Sequence, residues 1–178
     1  NYTAEYMAAL LTSVADDADK TAMYLEDARL NGLTVLQPDI SVSDMDYTAV
    51  NEKEIRFGLK AIRGIGANVS ESIVQLRKES GKFKDFNDVL TRFPRELVNK
   101  RVLEGLTYGG ALDSLGVSRR ALIYHIPELV KQYQKANKAK ASTQMSLFDL
   151  DDVITYTVYP MDEYPRLEKL KLERNALG

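Results

Sequence analysis

Arg56-Phe57-Gly58-Leu59-Lys60-Ala61-Ile62-Arg63-Gly64-Ile65-Gly66-Ala67-Asn68-Val69-Ser70-Glu71-Ser72-Ile73-Val74 reads as a short strand or turn, a brief helix, a Gly-Ile-Gly hairpin and a second helix. Leu59 and Ile62 sit one helical turn apart, and Val69, Ile73 and Leu76 recur at helical spacing beyond the glycines. The two glycines predict a tight turn that could not bear side chains, with Ile65 between them plugging the gap between the helices. Backbone N–H groups of the hairpin and of the following helix start then have no intrahelical partner, which makes a seat for a phosphate. Lys60 and Arg63 stand just before it to add positive charge.

This spacing resembles the helix-hairpin-helix element, a sequence-independent binder of the nucleic-acid backbone. That family often has Pro where this chain has Gly64. A helix-turn-helix joint that only packs would also accept Gly-x-Gly, so the local motif leaves both readings open.

On either side of the hairpin the pattern changes. Upstream, Leu33–Leu36, Tyr47–Val50 and Glu54–Gly58 are short, β-branched or aromatic runs separated by turn residues and by the polar stretch Ser41–Asp46. They predict a small antiparallel sheet. Before them, Tyr6, Leu10, Leu11 and Val14 mark one helix, and Asp16, Asp17 and Asp19 supply cap chemistry for another from Lys20 to Leu30, closed by Asn31-Gly32. Those carboxylates also admit a metal site, although Asp clusters at helix starts are routinely caps and dipole partners. Downstream, Asp85 precedes a helix bearing Val89, Leu90 and Phe93 that Pro94 terminates. Leu97 to Leu106 forms a further helix with Lys100 and Arg101 left for solvent or phosphate. Tyr108–Gly116 is a second glycine-containing connection, similar to a degenerate second hairpin. A long helix from Ser118, with Pro127 a kink, decays near Lys135 into a basic, small-residue linker. Val153–Tyr159 alternates like a strand or belongs to that linker, and Leu167–Gly178 reads as an amphipathic helix.

Composition narrows the function classes. The 178-residue chain is 44% hydrophobic and contains no cysteine, which excludes disulfide and thiolate chemistry and fits a reducing cytoplasm. Its single histidine, His125, lies beside Ile123 and Ile126 and suits packing or surface better than a metal. No run approaches a membrane span and no signal peptide is visible. The net charge of −2 conceals a strong asymmetry. Residues 1–50 balance to −7, residues 51–140 to +8 and residues 141–178 to −3. The hairpin lies in the basic middle, as a phosphate binder should, although solvated helix faces are rich in Lys as well.

After the linker comes Gln144-Met145-Ser146-Leu147-Phe148, flanked by Asp149, Asp151 and Asp152. An apolar Leu-Phe pair without helical or strand partners needs a reason. The pair either tucks onto the chain's own helices or serves a partner. The arrangement resembles the clamp-binding peptide of bacterial DNA-handling proteins. In such a peptide Gln144 bonds the rim of a pocket that Met145, Leu147 and Phe148 fill.

In their order, these pieces resemble the alpha subunits of bacterial DNA polymerase III, the C-family replicative polymerases. The resemblance rests on Glu5–Leu11, Gly32–Asp39, Ile55–Gly66, Asn99–Glu104, Gly110–Gly116 and the Gln144–Phe148 peptide, and covers nearly the whole chain. It implies a mainly α fold with a small antiparallel sheet. Residues 1–57 would end a helical fingers domain, and 58–134 would form a tandem helix-hairpin-helix region. Residues 135–165 would be a linker carrying the clamp peptide, and 166–178 a helix leading into a missing downstream domain. The chain would thus be a fragment. The DNA-backbone contacts fall to Lys60, Arg63, Gly64, Ile65, Gly66, Asn68, Lys100 and Arg101, and the clamp contacts to residues 144–148, Ser146 included. By the same resemblance the parent enzyme adds deoxynucleotides by two-metal chemistry with Mg2+. The carboxylates for that metal would lie before Asn1, so the fragment carries no catalytic or metal-binding residues and no cofactor of its own. Implied partners are double-stranded DNA without sequence preference, the sliding clamp and other replicase subunits, in a bacterial cytoplasm at the nucleoid. Two other classes compete. One is a helical protein-interaction scaffold that binds no nucleic acid. The other is a helix-hairpin-helix glycosylase, for which Lys82, Lys84 and Asp85 are present without the expected surrounding pattern.

Overall fold

Short polar caps start most of the helices. In the computed structural model, which describes residues 3–142 and 155–178, the Thr3 hydroxyl accepts the N–H of Tyr6 and opens α1 (Ala4–Ser13). Asp17 accepts from Lys20 N–H and opens α2 (Ala18–Leu30), with Asp19 in the first turn, so this part of the acidic cluster acts as a cap and dipole partner. Asp85 and Asn99 do the same for α4 (Phe86–Arg92) and α5 (Lys100–Tyr108). Between them lies α3 (Ala67–Ser80), and α6 (Arg119–Ser142) and α7 (Arg166–Leu177) complete seven α-helices among the described residues.

Three short strands, β1 (Thr34–Leu36), β2 (Thr48–Asn51) and β3 (Glu54–Arg56), make a sheet of order β1-β3-β2. The β2–β3 hairpin is antiparallel, as expected, with an irregularity between Ala49 and Asn51. β1 instead runs parallel to β3, pairing Thr34 with Glu54 and Leu36 with Arg56, so the sheet is mixed. The reason is the segment 37–47, long enough to cross and deliver β2 to the far side of β3. Buried Ser43 pins that crossover by donating to the Phe57 carbonyl and accepting from Asp39 N–H.

Two apolar clusters result. Met7, Leu11, Leu25, Leu33, Tyr47, Ile55 and Phe57 join α1, α2 and the sheet. A larger cluster runs from Leu59, Ile62 and Ile65 through α3, α4 and α5 to Leu122, Ile126 and Tyr156. Leu177, at the end of α7, packs against both.

The chain beyond Tyr133 departs from the linker expected there. α6 continues to Ser142 because Lys135–Ala141 is rich in Ala and Lys, which favour helix. Residues 155–165 have no regular structure, so the described part of the alternating run is not a strand. This segment is nonetheless tied to the helical body. Tyr156 is buried, its N–H donates to Asn87 Oδ1 at 2.7 Å, and Ser118 donates to the Met161 carbonyl at 2.8 Å. Among the described residues no helix is long and apolar enough to cross a membrane.

Candidate nucleic-acid interface

The hairpin begins with a 3-10 turn, Leu59–Ala61, and passes through Gly64 and Gly66 into α3. Leu59, Ile62 and Ile65 are buried, so Ile65 does plug the space between the helices. The two glycines do different work. Gly64 has φ +90°, a conformation that L side chains rarely adopt. Gly66 has φ −84° and ψ −178°, which any residue can take, and a Cβ there would meet open space. The expectation that both positions exclude side chains therefore holds for Gly64 on backbone grounds and fails for Gly66. At Gly66 the open space lies in front of the helix start.

Ile65 N–H is satisfied by the Ile62 carbonyl, and Arg63 N–H by the Ala176 carbonyl at 2.7 Å. Among the described residues, the N–H groups of Gly64, Gly66, Ala67, Asn68 and Val69 have no hydrogen-bond acceptor. Ser70 N–H bonds back to the Gly66 carbonyl, and the Ser70 hydroxyl also donates to it at 3.0 Å, fixing the first turn of α3. The result is a run of outward-facing donors at the positive end of a 14-residue helix.

Side chains frame this run from two directions. One depression is lined by Gly64–Val69 together with Glu96, Asn99, Arg101 and Val102. Another, which shares Gly64 and Ile65 with it, is lined by Lys60–Ile65 and the end of α7. Arg101 is exposed and lies alongside Gly64, its Cγ 3.4 Å from where a Cβ would stand. Arg63 is exposed beside the turn. Lys60 is exposed with Asp46 at 3.7 Å, and Asn68 is exposed in the first turn of α3. The structure thus brings Lys60, Arg63, Gly64, Ile65, Gly66, Asn68 and Arg101 to one hairpin. Lys100 is turned toward Glu104 at 3.7 Å and lines neither depression. Gln144, Met145, Ser146, Leu147 and Phe148 lie outside the described residues.

Two supports for the hairpin come from elsewhere in the chain. A Cβ at Gly105, inside α5, would approach the Arg63 carbonyl to 2.9 Å, so this glycine lets α5 press on the back of the turn. A lone glycine within a helical pattern is the sequence signal for such close approach. The second support is the Ala176 carbonyl on Arg63 N–H, for which the sequence carries no local signal.

The second glycine connection, 109–116, is built differently. Arg119, at 3% exposure, lies beneath it. Its guanidinium donates to Asp113 at 2.8 and 2.9 Å, to Glu173 at 3.0 Å and to the Tyr108 carbonyl at 3.2 Å. Burial pushes the Asp113 carboxyl up, but hydrogen bonds from Arg119 and Gln37 outweigh it and hold the group below the usual carboxylate range. This connection is closed by the protein's own charges.

A family model described as the helix-hairpin-helix motif matches residues 32–122. Over its whole length the chain is also similar to DNA polymerase III subunit alpha from several bacteria. It is 44% identical over 185 residues to that of Mycobacterium tuberculosis (strain ATCC 25618 / H37Rv), covering 100% of this chain and 16% of the relative. It is 44% identical over 182 residues to that of Mycobacterium leprae (strain TN), covering 100% and 15%. It is 37% identical over 179 residues to that of Thermus aquaticus, covering 100% and 14%. The chain therefore matches a segment of that subunit, spanning only about a sixth of the length of these curated relatives.

Proposed function

The chain belongs to the helix-hairpin-helix family, and from that premise we propose that it holds the backbone of duplex DNA without reading its sequence, as one segment of a replicative DNA polymerase. The observation that carries this reading is the run of acceptor-free N–H groups at Gly64 and Gly66–Val69, flanked by Arg63 and Arg101. Backbone donors see phosphate oxygens equally well whatever the base, so affinity comes from charge and positioning. The experiment is binding of the chain to a mixed-sequence duplex across a salt series. Binding should fall linearly in log–log form, losing about 0.9 in slope per phosphate neutralised, and should not depend on sequence. Gly64→Leu should abolish it, because the side chain is strained at φ +90° and crowds Arg101. Salt-independent binding, or none, would leave a helical scaffold.

The larger protein is proposed to synthesise DNA from deoxynucleotides with Mg2+ at carboxylates on its other segments. No catalytic step is proposed for this chain. Gln144–Phe148 is proposed to dock on the sliding clamp, with the remaining replicase subunits assembling on the same protein in the cytoplasm, at the nucleoid. A peptide tethered next to a DNA-binding body raises the effective concentration of the clamp without demanding rigid geometry. Clamp binding by the intact chain should be lost in the double variant Leu147→Ala/Phe148→Ala. Equal binding by both would remove the peptide from the reading.

A further inference from the structure

The start of α6 is the counterpart, after the second connection, of the α3 start that follows the first. Its donors are not free. Arg119 N–H donates to Glu163 Oε2 at 3.0 Å, and Arg120 N–H donates to Glu163 Oε1 at 3.2 Å. Tyr164 N–H adds a third bond to Oε1 at 3.0 Å, and Lys169 Nζ stands 3.7 Å from Oε2. Ala121 N–H goes to the Ser118 hydroxyl, which itself donates to the Met161 carbonyl. Both carboxylate oxygens therefore occupy the place where an anion meets a helix N-terminus, with two oxygens on two successive amides. Burial pushes the Glu163 carboxyl up, but the N–H bonds from Arg119, Tyr164 and Arg120 and the charge of Lys169 prevail, so its pKa lies below the usual range.

At α3 the equivalent amides have no acceptor among the described residues, whereas at α6 the chain has supplied one from the segment 155–165. We propose that Glu163 acts as a built-in competitor for phosphate: it fills the anion seat of the second connection and keeps that connection off DNA, leaving the first hairpin as the only phosphate seat of the pair. The proposal rests on the DNA-binding reading above. It also gives the segment 155–165 a task, since Tyr156 and Met161 fasten the segment that presents Glu163. An opposing carboxylate at a duplex surface would repel the backbone as well as block the seat, so removing it acts twice in the same direction.

The test compares the intact chain with Glu163→Ala and Glu163→Gln in binding a mixed-sequence duplex over a salt series, with amide chemical shifts followed during the titration. In the wild type, amides at Gly66–Val69 should shift on adding duplex while those of Arg119 and Arg120 stay in place. Glu163→Ala should bind about fivefold tighter, steepen the log–log salt slope by about 0.9, and bring the Arg119 and Arg120 amides into the response. Glu163→Gln keeps an acceptor but loses the charge, and should change affinity in the same direction by less. If Glu163→Ala does not fold, the glutamine variant and the wild-type amide shifts decide. Wild-type Arg119 and Arg120 amides that move together with those of α3 would overturn the proposal, as would folded Glu163 variants with unchanged or weaker binding. A wild type that binds no duplex at any salt would instead overturn the DNA reading on which the proposal stands.

Discussion

Gly64 and Gly66 look interchangeable in the sequence and are separated only by their backbone. Gly64 turns the chain at φ +90°, where a Cβ costs about 1–2 kcal/mol. Gly66 adopts an extended conformation at the helix start, with empty space where its Cβ would project. That space is where a phosphate must come to reach the Gly66–Val69 amides. Gly66→Ala should therefore change folding stability by less than about 1 kcal/mol, yet weaken duplex binding about tenfold through a lost backbone–phosphate bond. Gly64→Ala should lower both stability and binding. Thermal melts and duplex titrations of the two variants check the contrast, and a Gly66→Ala protein that binds as the wild type does would place the phosphate elsewhere on the hairpin.

The elements that periodicity and caps mark most strongly are the ones the sequence reveals. Asp17, Asp85 and Asn99 each start a helix as their residue types suggest, and the hairpin lies between Ala61 and Ala67 as the Gly-Ile-Gly spacing implies. What the sequence hides is pairing across distance. The parallel alliance of β1 with β3 depends on where the 37–47 crossover delivers β2, and no local pattern encodes that. Charge is hidden in a similar way. The basic excess of residues 51–140 suggests a broad phosphate-facing surface, but several of its arginines are spent inside the fold. Arg92 donates to the carbonyls of Leu76, Gly81 and Lys82 and stacks 4.2 Å over Phe83, and Arg77 donates to the Ile40 carbonyl. Arg119 sits buried between Asp113 and Glu173. These cations close helix ends and loops, where carbonyls lack intrahelical donors. Of the candidate site, the hairpin half was legible because turn chemistry is local. The contributions of Ala176 and Glu163 were not, because each depends on a partner far along the chain. Gly105 carries only the general signal of a glycine inside a helix, with nothing to say what approaches it.

The whole molecule is held by contacts between its two apolar clusters and the returning C-terminal segment, and two phenols that the fold keeps neutral lie in those places, Tyr47 buried and Tyr164 half-buried. Tyr47 belongs to the cluster of α1, α2 and the sheet, and its buried hydroxyl has no hydrogen-bond partner among the described residues. Burial pushes its pKa up to about 12. Tyr164 follows Glu163 and faces Tyr108, and burial, the neighbouring phenol and nearby carboxylates push it up to about 12 as well. For an acid whose pKa is higher folded than unfolded, the neutral form is the one the fold favours. The stability linked to it is fully present below the unfolded value near 10 and is lost as pH rises toward 12. The chain should accordingly lose stability between about pH 10 and 12, with the phenolate absorbance of buried Tyr47 appearing only as the fold opens. Tyr47→Phe removes an unpartnered buried hydroxyl, so it should be neutral or stabilising at pH 7 and should reduce the alkaline loss. Circular dichroism and phenolate absorbance, recorded together through the alkaline range, check this. If all ten tyrosines ionise near pH 10 while the helices remain intact, then Tyr47 reaches solvent in the folded chain. The contacts that join the two clusters to the C-terminal segment would then open without global unfolding.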